Sequence, residues 1–337
     1  MSVLYLLTAP RPPIAGTDAV FNEVAVLQAE FGGETMNLFP FATPRIRLPR
    51  LLYGMHAVPA LRRAEARHDT NHIYFGVLHW FPVLGLMRKP IVYTVSATLD
   101  ARRKPGALAK LKGLHRIVVS NERDRATLDA WGLSNYAVIP PGIDSAAISR
   151  HPLPMRDEVT LLMASAPWHR RQFDLKGIDV LLEIAAKVPA LRLVMLWRGI
   201  LIDDLRERIS RHGVQDRVEV VNAHTDINAH LARAHAGVLL AKESSIIKAY
   251  PHSLVESLAA GKPVIVSNGI PMSDYVARNG CGLVLDQVTV PAVMAAVEAL
   301  KRNYDELVRR TAALPRDDFS IRAWIDRHRP LYSHHGP

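Results

Sequence analysis

The residues best suited to chemistry lie at positions 248–266, KAYPHSLVESLAAGKPVIV. Pro251 and His252 interrupt regular structure. Ser253 stands three residues before Glu256, the spacing of a capping box, so a helix is expected to open there. Leu254, Val255, Leu258 and Ala259 recur on one face. Gly261 and Pro263 stop the helix, and Val264, Ile265 and Val266 read as a short buried strand. A helix that opens from a loop presents first-turn N–H groups that no carbonyl of the helix reaches, and such a terminus holds anions, diphosphate above all. The same spacing is also ordinary structure, since an SxxE box before an apolar face caps many helices that bind nothing.

The elements that must position this segment follow an alternating pattern. Residues 3–7 have no polar face, as in a parallel sheet covered on both sides. A turn-rich loop at 10–17 leads to a helix over 18–31, stopped by Gly32 and Gly33. Strands are expected at 35–38, 72–75, 91–95, 116–119 and 136–139, and helices near 51–67, 106–112 and 121–131. Pro140-Pro141-Gly142-Ile143-Asp144 breaks the rhythm, and a second stretch of low structure follows at 151–154. A domain boundary belongs here. The pattern then restarts, with strands at 160–164, 191–196, 217–221, 237–240 and 283–285. Helices are expected at 177–187, 203–212, 227–234, 290–302 and 305–313. The fold class is therefore α/β, with two Rossmann-like, doubly wound halves expected to face each other across a cleft. Ligands of such sheets bind beyond the carboxyl ends of the strands, where the loops at Arg11, Lys176 and Ser253 fall.

A chain of 337 residues has room for two cores. The net charge of +10 favours an acidic partner without choosing among a nucleotide, an anionic membrane and nucleic acid. The single cysteine, Cys281, forms no internal disulfide, which fits a reducing compartment; its glycine-rich flanks suggest a small residue in a turn. No basic leader precedes the first strand, and no apolar run approaches about 18 residues. A cytoplasmic protein is expected.

Four motifs together resemble the GT-B glycosyltransferases, and most closely the large retaining family called glycosyltransferase family 4. Residues 138–144, VIPPGID, resemble the family's interdomain VIPNGID. Residues 175–182, LKGIDVLL, resemble its KGxDxLL helix start. Residues 250–264 resemble its GFPxxLLEAMAxGxPVV. Phe319-Ser320-Ile321-Arg322-Ala323-Trp324, followed by Leu331-Tyr332, resembles its C-terminal helix. Gly16 matches the family's glycine-bearing loop more loosely. The resemblance implies an acceptor domain at 1–145, a nucleotide-sugar domain at 146–315, and a helix at 316–337 that packs back on the first domain.

It also implies a nucleotide-diphosphate sugar as donor. Lys176 would neutralise the diphosphate with Arg170 or Arg171 as the second cation, Arg170 being favoured by spacing. The amides around Ser253, Leu254 and Val255 would touch the diphosphate, and Glu256 would accept the ribose hydroxyls. Gly16 would let the backbone approach the donor. Fixed cations and a helix N-terminus aimed at a departing diphosphate can stand in for a divalent metal, so no metal and no cofactor are expected.

Two positions depart from the family pattern. Lys248 stands where a glutamate usually faces the sugar, which reverses the charge and opens the identity of the donor. Ser96 stands where the family often has a histidine near the reacting sugar; His56, His72 and His79 are candidates to compensate. Fifteen histidines form no HExxH or Cys/His ligand set, and His328, His334 and His335 read as a tail. The chain carries no P-loop, no GxGxxG after a strand and no GxSxG, which argues against NTPase, dehydrogenase and hydrolase chemistry.

Acceptor recognition falls to the first half. Arg45, Arg47, Arg50, Arg62, Arg63 and Arg67, with Arg102-Arg103-Lys104, are interleaved with Leu48, Leu51, Leu52, Tyr53 and Met55. That composition suits an anionic membrane surface and a glycan or lipid-linked acceptor, or else a solvated basic loop. Two other classes stay open: a sugar-nucleotide-binding relative without transfer activity, and a DNA-modifying glucosyltransferase. No stacking motif supports nucleic acid as a partner.

Overall fold

The computed structural model describes residues 2–39 and 52–333. Arg45, Arg47, Leu48, Arg50, Leu51, His334 and His335 lie outside the described residues. The chain divides into two compact units, one of residues 1–11, 18–142 and 322–337, the other of residues 12–17 and 143–321.

The first unit carries β1 (Val3–Leu7), α1 (Ala19–Phe31), β2 (Glu34–Asn37), α2 (Val58–Glu65), β3 (Thr70–Phe75), β4 (Ile91–Val95), α3 (Leu108–Lys112), β5 (Arg116–Val119), α4 (Glu122–Ala130) and β6 (Tyr136–Val138). Its six strands pair in the order β2-β1-β3-β4-β5-β6, all parallel. Every residue of β1 and β3 is buried, as expected when helices cover both faces; β1 is apolar throughout, whereas β3 also buries Thr70, Asn71 and His72. Asp18 caps α1 by accepting the Val20 amide at 3.0 Å, and Gly32 ends it. The expected helix at 51–67 shortens to a 3-10 turn at Met55–Ala57 followed by α2. Gly54 stands in the left-handed region just before that turn, and Pro59 sits at the start of α2, the place where a proline costs no hydrogen bond.

The second unit carries β7 (Val159–Met163), α5 (Gln172–Leu175), α6 (Ile178–Lys187), β8 (Leu191–Leu196), α7 (Ile202–His212), β9 (Val218–Val221), α8 (Ile227–Leu231), β10 (Ala236–Leu239), α9 (His252–Ala259), β11 (Val264–Ser267), α10 (Met272–Asn279), β12 (Gly282–Leu285), α11 (Val290–Arg302) and α12 (Tyr304–Ala312). Its sheet runs β12-β11-β10-β7-β8-β9, again all parallel. Leu161, Met163 and Leu193 face one core while Leu162 and Val194 face the other, the period of two that a doubly covered strand demands. The chain leaves β7 toward β8 on one side and returns to β10 on the other. The β7–β10 boundary is therefore where the strand order reverses, the place where ligands of such sheets bind beyond the carboxyl ends.

Cys281 lies in the bend between α10 and β12 and is buried in this core, and burial pushes its thiol up to about 11. Both its flanking glycines serve packing, so the sulfur behaves as a small apolar group.

The last helix, α13 (Ile321–Tyr332), corrects the reading of His328 as part of a tail. His328 is buried on α13, and its Nδ1 lies 2.8 Å from the Trp324 carbonyl. The Tyr332 hydroxyl lies 2.6 Å from Nδ1 of His72 on β3, and Nε2 of His72 lies 2.7 Å from the Thr94 hydroxyl. Burial and the neighbouring His328 hold His72 well below the usual imidazole range, so the ring stays neutral.

Candidate donor-binding site

Lys176 is the residue that the β7–β10 boundary places most definitely. It closes the βα connection after β7, at the end of α5, and is buried. Its ammonium donates to the Ser165 hydroxyl at 3.0 Å and to the Ala166 carbonyl at 3.1 Å. Next along the chain, Gly177 has φ +62° and a Cβ there would lie 2.8 Å from Val288 Cγ1 and 3.0 Å from Leu240 Cβ. Only glycine meets both conditions, the left-handed backbone and the close approach to the end of β10. The Lys242 amide donates to the Leu175 carbonyl at 2.8 Å, which ties the two connections together beside Lys176.

A second cation reaches the same oxygen. Arg198, just past β8, donates from Nη2 to the Ala166 carbonyl at 2.6 Å. Its guanidinium lies over the Trp168 ring, 4.1 Å from the centroid. Two unit charges about 6 Å apart repel by about 3 kcal/mol at an effective dielectric of about 20. The fold holds them together against that repulsion, so positive potential is in place before any ligand arrives.

Arg170 and Arg171 stand elsewhere. Arg170 pairs with Asp204 at 2.6 Å and Arg171 with Glu243 at 3.2 Å, and both side chains are about three-quarters exposed (78% and 74%). Spacing along the chain favoured them because they precede Lys176. The turn into α5 instead points them to surface carboxylates, and parallel pairing of β8 with β7 brings Arg198 to the place. The one sequence signal for Arg198 was its position directly after a strand's carboxyl end.

The helix expected at Ser253 is α9, but no capping box forms. Pro251 is the N-cap, with φ −66°, and α9 begins at His252. The Pro251 carbonyl accepts from both Leu254 (3.0 Å) and Val255 (3.2 Å), so those two amides are spent on starting the helix. Ser253 lies inside the first turn and is buried, and its carbonyl accepts from the Ser257 hydroxyl at 2.7 Å. The proline's fixed φ starts α9 early and leaves the serine no terminus to cap. The amides of His252 and Ser253 precede the first intrahelical bond and mark the anion-seeking end.

Glu256, released from capping, is half-buried. Burial raises its carboxyl above the usual range, and nearby His252 opposes that rise. A partly desolvated carboxylate is well suited to accept a pair of hydroxyl donors. Lys248 is half-buried in the connection between β10 and α9.

The loop carrying Gly16 belongs with the second unit, not with the acceptor half to which its sequence position assigned it. A Cβ on Gly16 would stand 2.8 Å from the His224 ring, which follows β9. In the first unit, Ser96 follows β4, and its amide donates to the Phe75 carbonyl at 2.8 Å. Of the three compensating histidines, His72 has both ring nitrogens engaged inside the unit. His79 is half-buried just beyond β3, and His56 is exposed.

Among the described residues, no group of three or more His, Cys, Asp or Glu side chains is placed to hold a metal ion. None of their helices is long and apolar enough to cross a membrane.

Comparison with known proteins places this arrangement. Residues 169–313 match the family described as Glycosyl transferases group 1. No protein of curated function matches the chain significantly in sequence. The whole chain is similar in structure to sucrose-phosphate synthase from Thermosynechococcus elongatus, with TM-score 0.73, 16% identity and 98% of each chain covered. It is similar to Anabaena HepE in complex with UDP and glucose, with TM-score 0.72, 13% identity and 98% of each chain covered. It is similar to WaaG, a glycosyltransferase involved in lipopolysaccharide biosynthesis, with TM-score 0.67, 16% identity, and 99% of this chain and 100% of that one covered. The chain therefore has the GT-B fold, two parallel six-stranded sheets in two units, and residues 169–313 of its second unit match the group 1 glycosyl transferases.

Proposed function

We propose that the protein moves a sugar from a nucleoside-diphosphate donor to a glycan or lipid-linked acceptor, with retention at the anomeric carbon and without a metal. The observation that carries this is the buried Lys176 ammonium at the β7–β10 boundary, with α9 opening after the neighbouring strand. The anomeric C–O bond breaks as charge grows on the departing diphosphate. An ammonium already fixed there lowers the barrier because it needs no reorganisation at that moment. The acceptor hydroxyl bonds to the anomeric carbon on the face that the diphosphate leaves, and its proton passes to a phosphate oxygen. No protein base is required on that path. Glu256 takes the ribose hydroxyls and so fixes the nucleoside. The HepE complexes with UDP and with UDP-glucose support a uridine donor as the first to test.

Turnover is read as nucleoside diphosphate released from UDP-, GDP- and ADP-sugars, and as CMP from a CMP-sugar, a uronic acid donor being included because of Lys248. Retention is read from the anomeric coupling constant of the product. Unchanged turnover after EDTA treatment is expected. Inversion, or loss of activity restored by a divalent ion, would remove the corresponding part of the proposal.

Leu52 and Met55 are the exposed large apolar side chains among the described residues, and Arg63, Arg102, Arg103 and Lys104 are also exposed. That supports peripheral association with an anionic membrane, where a lipid-linked acceptor would be met. Arg67 contributes less, because Glu34 neutralises it at 2.7 Å. Flotation with vesicles containing about one-third anionic lipid tests this at physiological ionic strength; protein left at the bottom of the gradient ends it.

A further inference from the structure

We infer that Arg198 supplies the second cation to the donor's diphosphate, and that Trp168 is the positioning residue that aims it. The inference rests on the nucleotide-sugar reading and names a residue that spacing along the chain did not single out. Arg198 and Lys176 share one acceptor, the Ala166 carbonyl, at 2.6 and 3.1 Å. Arg170 and Arg171 are held by Asp204 and Glu243 on the surface, so each already has its counter-charge.

Arg198 is also held ready. The guanidinium carbon lies over the Trp168 indole, 4.1 Å from the ring centroid, a cation–π contact that restrains the fork. Trp168 is itself pinned, because its amide donates to Oε1 of Gln172 at 2.7 Å and Gln172 is buried. On the other side of Arg198, Gly199 has φ +87° and a Cβ there would lie 3.0 Å from Pro13 Cβ. The backbone on both sides of the contact is thus constrained, and little side-chain freedom is lost when an anion binds. A planar fork and a point charge offered together suit two linked phosphates better than either cation alone, since the fork can engage two oxygens at once.

The test is calorimetric titration of the full chain with UDP, GDP and ADP, and with the matching nucleosides as probes that lack the diphosphate. For whichever diphosphate binds the wild type, R198A should lose about 10- to 100-fold in affinity, the range of a charge-assisted pair. The nucleoside should bind R198A as it binds the wild type. R198K should recover part of the loss, because it restores charge but not the fork. R170A and R171A should stay within about twofold. W168A should weaken the diphosphate but not the nucleoside, and W168F should restore it, an outcome that a merely structural tryptophan would not give. If R198A fails to fold, R198K and W168A carry the same comparison. Equal diphosphate affinity in R198A and wild type, with K176A impaired, overturns this inference and leaves the donor reading intact. A wild type that binds none of the three diphosphates overturns both.

Discussion

Substituting Gly177 with alanine tests whether the backbone beside Lys176 is as constrained as its geometry requires. Two separate costs are expected. A residue with a side chain at φ +62° pays about 1–2 kcal/mol for the left-handed conformation. The new methyl would also stand 2.8 Å from Val288 Cγ1 and 3.0 Å from both Cβ and Cδ1 of Leu240. Leu240 Cβ is anchored to the backbone at the end of β10 and cannot rotate away, so overpacking adds about 1–3 kcal/mol. The total is about 3 kcal/mol, or a fall of about 6–12 °C in melting temperature for a unit of this size. Gly213 is the control. It has φ +65° at the end of α7, yet nothing lies within 4 Å of its Cβ position. G213A should therefore cost only about 1 kcal/mol. Denaturant unfolding followed by tryptophan fluorescence reads both. Donor titration adds a second readout, because G177A moves Lys176 and should weaken nucleoside diphosphate binding while G213A should not. Equal destabilisation by the two substitutions, or full donor affinity in a folded G177A, would refute the reasoning.

Other outcomes follow from single groups. K176A and E256A should each abolish the thermal stabilisation given by the donor nucleotide, and a full response in both would displace the site. Because burial raises the Glu256 carboxyl, nucleoside affinity should fall on acidification at a pH above the usual carboxylate range, and E256Q should flatten that dependence. Lys262 is buried with its ammonium 2.7 Å from the His151 carbonyl, and burial lowers it from 10.5 to about 8. A lysine depressed in the folded state binds fewer protons there than when unfolded, so stability should rise between pH 8 and pH 10.5. That rise amounts to about 3 kcal/mol at most. K262M should be as stable as wild type or more so at pH 7, and should show no such rise in equilibrium unfolding; a K262M protein that unfolds more easily at pH 7 would contradict this.

Much of the fold was legible because its signals are local. Apolar runs such as Val3–Leu7, and Leu161–Met163 within β7, name buried parallel strands, and Lys176-Gly177 marks a turn whose glycine is required on the spot. The N-cap of α9 was misread by two residues, Ser253 for Pro251, because a capping box and an N-cap proline compete within three positions. The fixed φ of Pro251 decided it. That Arg198 joins Lys176 at the Ala166 carbonyl was signalled only by its position just past β8. Arg170 lies closer along the chain, but Asp204 on α7 claims it, and that pairing exists only once α7 has packed.

The sequence by itself determined the alternation of strands and helices, the restart of the pattern after Pro140-Pro141-Gly142, and the lysine that ends the connection after β7. Each depends on side-chain periodicity or on backbone limits within a few residues. Only the tertiary structure decided that Arg198 joins Lys176 at the Ala166 carbonyl, that the Gly16 loop belongs with the second unit, and that His72 is closed off by Tyr332. Those contacts join residues far apart in the chain. They are set by which strands lie side by side, and strand order is a property of the packed sheet rather than of any one segment.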